Sequence, residues 1–595
     1  MQDRQELKRD WRDAQSSRDK PAQSERSRLL HWQEKLTRAM QYSAAEHGEM
    51  DLRETLYAGT REVYSAGIAA KKRASHTRNI VFELIESQVD CTVPLPKVEA
   101  TCPHCEPLAR SAEQSLRADL ERLPFVRMND EQERTVPVQG ASYFLVEWDN
   151  RVKTHRTVGD LCISLLHPRQ VIVQPGCTRL EEADYLFVLR TTTRQAVRAR
   201  FGQDVREDGG YAWYSTADDE DRVTQVLAYY KNRDGGIGLF SFVGDTVLID
   251  LSDYQARRVQ VCAQCGTARA PGADACPCGS EAFVQRQMRH EVLPADVCRS
   301  DGTILPAGTR VPYYRPGVYP LILRKNVSVH GRLLGDSDVD KVRDQQMLIN
   351  KLGTKIEEKL LKGGSYVTLP RGVHVRRDES ELKVIDVASP AEAGMISAIN
   401  LQPNISYDSL QRDKAYEEAK STLGVTDTYQ GKPDNTATSG RAKQLQIQQS
   451  AGRLLSKRRN KQICYADLFR VMFAFKLAYA DEARPYAYMD GHGCRQFGRF
   501  SRYDFLQQDE AGQWYYADAF LFSVDESGSL GSNREAMWQE TRMNFQQGAF
   551  GPVGSREALL LFWEVMQTLQ YPRAQDVYAR LLQQGEGAQT PLPQP

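Results

Sequence analysis

Four cysteines lie within 17 residues near the middle of the chain, and their spacing suits metal chemistry. Cys262 and Cys265 form a C-x-x-C pair, and Cys276 and Cys278 follow as a C-x-C pair. A glycine comes directly after each pair, and glycine lets the backbone turn its N–H groups toward the thiolates. Tetrahedral zinc takes four such ligands from two tight turns. The pattern predicts a zinc-ribbon-like site, with unpaired surface thiols as the alternative.

The second cysteine pair is one residue shorter than a usual zinc knuckle, so the ligand set stays open at this point. His290 or Cys298 could replace one of the four cysteines. The cluster has no open position for water and no glutamate to act as a general base, which argues against a catalytic metal. We expect a structural Zn²⁺ that staples an insertion over about residues 258–296, because so short an insertion can scarcely bury a core of its own.

A second C-x-x-C pair, Cys102 and Cys105, offers only two metal ligands. His104 and Cys91 are nearby, but nothing completes a second knuckle. The sequence predicts a loop with free thiols here. Twelve cysteines are few for 595 residues and are unevenly placed, so we expect reducing conditions rather than a disulfide framework.

Common enzyme motifs are missing from the sequence. It contains no H-E-x-x-H, no G-x-S-x-G and no G-x-G-x-x-G. The segment from Gly424 superficially suggests a phosphate-binding loop, but the distance to Gly431 is too long and Pro433 replaces the required Ser or Thr. These absences remove the common enzyme classes without excluding an enzyme that has no known motif; the prediction that the protein is not an enzyme rests on the family resemblance given below.

The competing hypothesis is a zinc-ribbon enzyme that processes nucleic acid. In that hypothesis Asp336, Asp338 and Asp340 would bind Mg²⁺. The same aspartates also begin a predicted helix, where the helix dipole favours acidic side chains without any metal. The order of elements described next has no role in this alternative.

The segment over residues 337–440 reads as a helix, a strand-rich insert, a second helix and a polar loop. Ser337 is a candidate N-cap, and apolar residues then recur at near-helical spacing until Gly363. Short runs rich in β-forming residues follow, and a second helix begins near Ser406 and ends at Gly424. The polar loop leads into a very long helical pattern whose second half is strongly apolar and must be buried.

Basic residues on the first of these helices are candidates for contact with DNA. Lys351, Lys355 and Lys359 follow at i, i+4 and i+8, and so form one stripe of the helix. The stripe could face DNA, or it could be a solvated face shared with Glu357 and Glu358. Neither arrangement reads bases, so any DNA contact would be independent of sequence. We assign the basic run Lys457 to Lys461 in the long helix to surface or intersubunit charges.

The flanking regions predict an α+β fold. Alternating apolar and polar runs over residues 136–192 and 223–251 indicate strands, and short aromatic strands return over residues 490–525. Helical patterns cover residues 51–90 and 533–582. The 78 basic and 78 acidic residues balance, which argues against tight general binding of nucleic acid. With no run of eighteen apolar residues and no signal-peptide pattern, we expect a soluble, cytoplasmically made protein without a membrane partner.

Several segments together resemble the portal proteins of tailed bacteriophages, of the kind found in long-tailed phages and prophages. The segments that carry the resemblance are QGASYF (139–144), EWD (147–149), YPLILRKNVS (319–328), GDSD (335–338), QQMLIN (345–350), TSGRA (438–442) and SNREAM (532–537). The resemblance spans roughly residues 50 to 580.

The resemblance implies a portal architecture with the following parts. They are an N-terminal polar and helical segment (1–50), a wing (51–336) with the zinc-ribbon-like insertion, stem helix 1 (337–363), a small β-rich clip (364–404), stem helix 2 (405–424), a tunnel loop (425–439), a long kinked helix (440–480), wing return strands (481–530), a helical crown (531–583) and a disordered tail (584–595).

The resemblance also implies a function and a set of partners. Such proteins form a dodecameric ring, the head-tail connector, at one capsid vertex of the virion after assembly in the host cytoplasm. Double-stranded DNA passes through the ring during packaging and ejection. The implied protein partners are the terminase large subunit, a head-completion or tail adaptor protein, and the major capsid and scaffolding proteins. By analogy, Lys432 is the candidate tunnel-loop contact with DNA.

Overall fold

The computed structural model describes most of the chain, and every structural statement below concerns that part. The described residues are 21–59, 62–63, 72–73, 77–205, 221–266, 269, 275–362, 364–368, 389–395, 397–401, 403–425, 452–489, 495–525, 534–552, 554–569, 571 and 573–586. The predicted tunnel loop beyond Val425, including Lys432, lies outside them, as do residues 369–388 of the predicted clip and residues 440–451 of the predicted long helix.

Twelve α-helices occur in the described residues. They are α1 (Pro21–Ala58), α2 (Ile80–Glu86), α3 (Glu106–Arg122), α4 (Phe125–Gln139), α5 (Arg194–Phe201), α6 (Asp338–Lys362), α7 (Pro390–Met395), α8 (Ser406–Leu423), α9 (Gly452–Tyr479), α10 (Arg534–Gln546), α11 (Arg556–Thr568) and α12 (Ala574–Glu586).

The strands of the described residues are all paired antiparallel, most of them in two-stranded sheets. They are β1 (Glu62–Val63), β2 (Lys72–Arg73), β3 (Pro96–Ala100), β4 (Ala141–Lys153), β5 (Val158–Leu166), β6 (Val171–Val173), β7 (Tyr185–Thr193), β8 (Arg222–Lys231), β9 (Ile237–Val243), β10 (Thr246–Leu251), β11 (Arg258–Cys262), β12 (Phe283–Gln287), β13 (His290–Val292), β14 (Val297–Cys298), β15 (Ile304–Leu305), β16 (Arg310–Pro312), β17 (Leu321–Lys325), β18 (Gly364–Thr368), β19 (Ser397–Leu401), β20 (Arg484–Met489), β21 (Arg495–Phe500), β22 (Leu506–Gln508), β23 (Trp514–Tyr516) and β24 (Phe520–Val524).

The predicted α+β class is confirmed. The structure is 46% helical and 25% strand. Its two largest sheets are antiparallel, one with five strands in the order β10-β9-β8-β7-β6 and one with three in the order β17-β4-β5. Antiparallel sheets with helices packed against them are the arrangement expected of this class.

Helix α1 covers one face of the five-stranded sheet. Trp32 and Leu36 are buried there, and the Trp32 ring stacks on Phe240 and meets Phe187 edge to face. The helix continues without a break to Ala58, so the predicted division at residue 50 between a polar segment and the wing is wrong. The reason is that its few apolar residues share one face, which the sheet buries.

The apolar half of α9 forms the centre of the largest core cluster. Phe469, Met472, Phe473 and Phe475 are all buried, and α3, β4 and β17 pack around them. The burial predicted for the second half of this helix is confirmed. Downstream of α9, the return strand β24 pairs with β3, which lies some 400 residues earlier in the chain, so the two halves of the chain close one fold.

Helices α6 and α8 pack against each other as a pair, referred to below as the helix pair. They correspond to the helices predicted over residues 337–363 and 405–424. Strand β18 directly follows α6, and it pairs antiparallel with β19, which precedes α8, in a register that runs from Gly364 opposite Leu401 to Thr368 opposite Ser397. A strand pair therefore caps the end of the helix pair.

The C-terminal helices α10, α11 and α12 have a small core of their own. Phe562 lies 4.6 Å from Phe545 between ring centroids, and Trp538 contacts Tyr571 edge to face. Helix α12 continues through Glu586, so the predicted tail starting at residue 584 is wrong for its first residues; Gln583 and Gln584 are good helix formers and extend the last turn. Residues 587–595 lie outside the described part.

No helix in the described ranges combines the length and the apolar character needed to cross a bilayer.

Candidate functional site

The predicted metal cluster lies at one end of a two-stranded hairpin. Strands β11 and β12 pair in register from Arg258 opposite Gln287 to Cys262 opposite Phe283. Cys262 ends the first strand, so its thiol and those of the following turns meet beyond the end of the hairpin. We call this unit the ribbon hairpin.

The four predicted thiols converge in the structure. The Sγ atoms of Cys262, Cys265, Cys276 and Cys278 all lie within 4.8 Å of one another. Two of the separations are 3.4 Å, from Cys262 to Cys278, and 3.3 Å, from Cys265 to Cys276. Thiolates bound to tetrahedral zinc at about 2.3 Å lie about 3.8 Å apart, so small shifts would complete such a site. The four cysteines can therefore hold a metal ion.

The backbone of the ribbon hairpin turns toward the thiols as the glycine positions predict. Gly266 has φ +73° and Gly279 has φ +85°, which is the left-handed region that favours glycine. The N–H of Gly266 donates to the Cys262 carbonyl at 3.0 Å, and that of Gly279 donates to the Cys276 carbonyl at 2.8 Å. The short C-x-C pair thus closes a turn much as the C-x-x-C pair does.

Hydrogen bonds from the backbone also reach the thiols. The N–H of Gln264 lies 3.4 Å from the Cys262 sulfur. A hydrogen bond from the backbone of Cys265 lowers the pKa of the Cys262 thiol to about 6. Despite a backbone hydrogen bond from Cys278, burial and the Cys265 thiol raise the pKa of Cys276 to about 12. A thiolate is the form that binds zinc, so binding at this cluster must release thiol protons.

The two alternative ligands lie outside the cluster of four thiols. His290 belongs to β13, and its Nδ1 is 3.4 Å from the Arg310 guanidinium. Cys298 belongs to β14 and is exposed. The ligand set left open by the spacing is thus the four cysteines among the described residues.

The ribbon hairpin has little apolar packing to hold it. Val284, in the second strand, is 56% exposed, whereas Cys262 and Cys276 are buried. The ring of Phe283 is covered by the Arg269 guanidinium, 5.0 Å from its centroid. A fold with so small a core depends on a metal or a disulfide for stability.

The three lysines proposed to face DNA lie on α6, and two of them meet the second helix of the pair. The ammonium group of Lys355 lies 2.9 Å from a carboxylate oxygen of Asp408, and Lys359 binds the other oxygen. Lys359 also donates to the Asn404 carbonyl at 3.2 Å. Lys355 and Lys359 thus tie the helix pair together, and Lys351 is half-buried on the same helix.

The aspartates of the enzyme hypothesis each have a cation or an amide beside them. Asp336 lies 2.7 Å from the Lys341 ammonium group, and Asp340 lies 2.6 Å from the Arg53 guanidinium. Asp338 accepts from the amide of a neighbouring asparagine and from a lysine of α9. Their oxygens do not form a group that could hold a metal within the described ranges.

Residues 139–140, 326, 335–338 and 457–461 meet at the base of α6, which we call the junction. The Asn326 N–H donates to the Gly140 carbonyl at 2.9 Å, and its side chain donates to Asp338 at 2.8 Å. Ser337 donates to the Val138 carbonyl at 2.6 Å and accepts from the N–H of Val339 at 3.1 Å. Segments near residues 140 and 326, about 190 residues apart in the chain, therefore position the first turn of α6.

Glycine is required where two of these segments cross. Gly140 has φ +84°, and a Cβ built on it would lie 2.3 Å from the carbonyl oxygen of Gly335. A Cβ on Gly335 would in turn lie 2.7 Å from the Gly140 carbonyl oxygen. Only two bare backbones can approach this closely.

The prediction that the basic run in α9 is a surface feature is wrong for Lys461. This side chain is 2% exposed and donates to the carbonyls of Asp90 (3.0 Å) and Thr92 (2.8 Å). It also lies 2.9 Å from Glu133, which is paired with Arg324 at 2.8 Å.

One signal in the sequence could have indicated the burial of Lys461. Going back from the buried Met472 through Leu468 and Tyr465 at helical spacing, the same stripe reaches residue 461. Its partners come from segments more than 300 residues earlier, so the sequence around residue 461 does not identify them.

The Cys102 and Cys105 pair is not in a loop, as predicted, but at the start of a helix. A 3₁₀ turn over Pro103–Cys105 leads directly into α3, and Cys105 is 7% exposed. Proline at the first positions of the turn and of the helix suits both, because the N–H groups there have no partner within the helix.

Comparison with known proteins gives no assignment. No model of a known protein family matches the chain, and no curated protein matches it.

Proposed function

We propose that this chain is a portal protein of a tailed bacteriophage. In this proposal it forms a ring at one capsid vertex, through which double-stranded DNA enters and leaves the head. The observation that supports the proposal best is the junction. The segments QGASYF, YPLILRKNVS and GDSD carry the sequence resemblance, and they meet at the base of α6 although they lie up to about 200 residues apart.

The helix pair and its strand pair are the proposed stem and clip. Helix α6 runs away from the junction, β18 and β19 join at its far end, and α8 returns. Helix α9 then extends from the junction into the core of the proposed wing. Helices α10, α11 and α12 are the proposed crown.

Exposed apolar side chains on the helix pair support self-association. Leu360 and Leu361 of α6 are 54% and 78% exposed, and Tyr407 and Leu410 of α8 are 69% and 51% exposed. All four lie toward the end of the helix pair that carries β18 and β19, and a contiguous apolar patch there would mark a site of contact with another protein. Neighbouring copies in a ring would cover them, and twelve copies are the number implied by the resemblance.

The remaining partners follow from the proposal. The candidate contacts are lysines, which would meet phosphates and not base edges, so DNA would pass without base readout. The chain carries no net charge, so it would not bind the phosphate backbone tightly enough to hold the DNA in place. Lys351 and Lys432 are the candidate contacts with DNA. Lys355 and Lys359 are candidates too, through the ammonium N–H groups that do not bind Asp408. The terminase large subunit and the head-completion adaptor would dock on the clip. The ribbon hairpin would hold a structural Zn²⁺, and catalysis would come from other proteins.

The first experiment is the native mass of the purified protein, with negative-stain images of the same fraction. We expect rings of about a dozen copies with a central hole. Leu361→Glu, which places a charge on the proposed subunit interface, should shift the mass toward smaller species. Val126→Glu is the matched control, since Val126 is 76% exposed on α4 and not on the helix pair. A monomer with metal-dependent nuclease activity would overturn the proposal in favour of a zinc-ribbon enzyme.

A further inference from the structure

The Cys102 and Cys105 pair has the backbone geometry of a dithiol that can close. The N–H of Cys105 donates to the Cys102 carbonyl at 3.1 Å, which makes a hydrogen-bonded turn. Such a turn brings its first and fourth Cα atoms to within about 7 Å. A disulfide needs Cα atoms roughly 4.4–6.8 Å apart. The two cysteines therefore need little backbone movement to form a bond.

The two thiols differ in their surroundings. Cys105 is 7% exposed, and the amide of Gln507 in β22 donates to its sulfur at 3.5 Å. Burial raises the pKa of the Cys105 thiol, and a hydrogen bond with Cys102 raises it further. Cys102 is more exposed and precedes the turn. A reagent from solvent thus meets Cys102 first and finds Cys105 directly behind it.

The surface beside the turn is open. Pro103 and Glu106 line a wide groove whose opposite wall includes Tyr488 and Phe497, and Phe497 is 79% exposed. Neither cysteine lines this groove, which reaches the turn only at Pro103, between Cys102 and Cys105. A metal has less support here, because no third ligand joins the two cysteines in the described residues.

We propose that Cys102 and Cys105 form a redox-active dithiol that exchanges with low-molecular-weight disulfides. The Cys102 thiolate attacks one sulfur of the small disulfide, which releases one small thiol and leaves a mixed disulfide on Cys102. Cys105 then loses its proton to solvent and attacks the Cys102 sulfur, which releases the second small thiol. The protein loses two hydrogens, and the small disulfide becomes two thiols.

The bond would fix the start of α3. This helix carries Ser115 and Asp119, which both bind the buried ammonium group of Lys476 in α9. The redox state of the pair would therefore act on a helix that anchors the long helix of the core.

The test uses the full-length protein with glutathione disulfide, followed by alkylation and peptide mass mapping. In the wild type we expect the peptide with both cysteines to lose two hydrogens and to retain no glutathione. Cys105→Ser should instead retain one glutathione on Cys102, because the resolving thiol is gone. If the serine variant does not fold, Cys105→Ala should retain the same mixed disulfide on Cys102. Cys102→Ser should slow the reaction of Cys105 by about 10-fold or more, since a buried thiol reacts slowly.

Cys298 serves as an internal control in every sample. It is exposed in β14, and among the described residues its sulfur contacts the Arg299 carbonyl and no thiol, so we expect it to keep its glutathione. The proposal fails if wild-type Cys102 keeps its glutathione as Cys298 does, or if Cys105 reacts equally fast without Cys102. Because the test reads the mass of the peptide that holds Cys102 and Cys105, the result is independent of ring assembly and so of the proposed function.

Discussion

The ribbon hairpin and the junction are held together by different means: the first joins strands within one short insertion, and the second joins segments far apart in the chain. The ribbon hairpin has two five-residue strands, an exposed Val284 and four converging thiols. The junction has crossing glycine backbones and ion pairs that are buried within a large core, among them Lys461 with Glu133. A short insertion lacks apolar surface, so a metal would supply its stability locally.

The two regions should differ in how far the effect of a mutation extends through the fold. Loss of a metal that holds a peripheral hairpin should unfold that hairpin and leave the rest of the protein in place. A charge in the junction is paired inside the core, and removing its partner leaves an uncompensated buried charge. Damage there should lower the stability of the whole fold.

The largest expected effect is loss of the metal in Cys262→Ser. Zinc content should fall from one per chain to almost none, because three thiols bind zinc far more weakly than four. Proteolysis between β11 and β12 should become faster, while the midpoint of global unfolding stays unchanged. Metal analysis and limited proteolysis measure these outcomes. Cys298→Ser should keep its zinc, and equal zinc in both variants would contradict the assignment of the ligands.

Lys461→Met should lower the free energy of unfolding by about 3 kcal/mol. The variant leaves the Asp90 and Thr92 carbonyls without their donor and Glu133 with one cation fewer. Urea denaturation measures the change. Arg459→Met, at an exposed position of the same helix, is the control and should change stability by less than about 0.5 kcal/mol. A similar decrease in the free energy of unfolding in both variants would show that the buried ion pair of Lys461 does not stabilise the fold.

Gly140→Ala should cost about 2 kcal/mol, because the new Cβ meets the Gly335 carbonyl and the backbone has φ +84°. Gly202→Ala separates the two causes. Gly202 has φ +68° and open space around its Cβ position, so only the backbone strain of about 1 kcal/mol remains. If thermal denaturation gives the same loss for both, the close approach of the two backbones contributes nothing.

The smallest effect concerns pH and Asp408. Hydrogen bonds from Lys359 and Lys355 lower the pKa of this carboxyl group below its usual value. A lowered folded pKa gives stability that is full above the unfolded value of about 3.9 and is lost as the pH falls through the folded value. The stability difference between wild type and Asp408→Asn should therefore shrink below about pH 4. A difference that stays constant in acid would contradict the pairing, and Asp413→Asn on the exposed side of α8 is the control.

Features that depend on neighbours in the sequence could be predicted from it. The thiol cluster follows from two tight turns, each with its own glycine, so spacing alone places the ligands. Helix α6 begins and ends within a residue of its predicted bounds because an N-cap serine and a glycine pair mark both ends. These signals are local and need no tertiary partner.

Features that depend on distant partners could not be predicted. Lysine is rarely buried, and the burial of Lys461 is made tolerable by the carboxylates of Glu133 and Asp90 and by the carbonyls of residues 90 and 92. The packing of α1 also depends on a distant partner. The helix is polar over most of its length, and Trp32 is buried only because it packs on the aromatic face of the sheet. The 3₁₀ turn that leads into α3 could not be predicted, because prolines such as Pro103 and Pro107 usually indicate loops.

Helix α1 also has a mechanical consequence. With 38 residues it is about 57 Å long. Near one end Trp32 is embedded in the five-stranded sheet, and near the other the buried Arg53 grips Asp340 in the first turn of α6. The helix is a rigid connection between the sheet and the base of the helix pair. A force or torque on α6 is therefore transmitted to the sheet as well as to the junction.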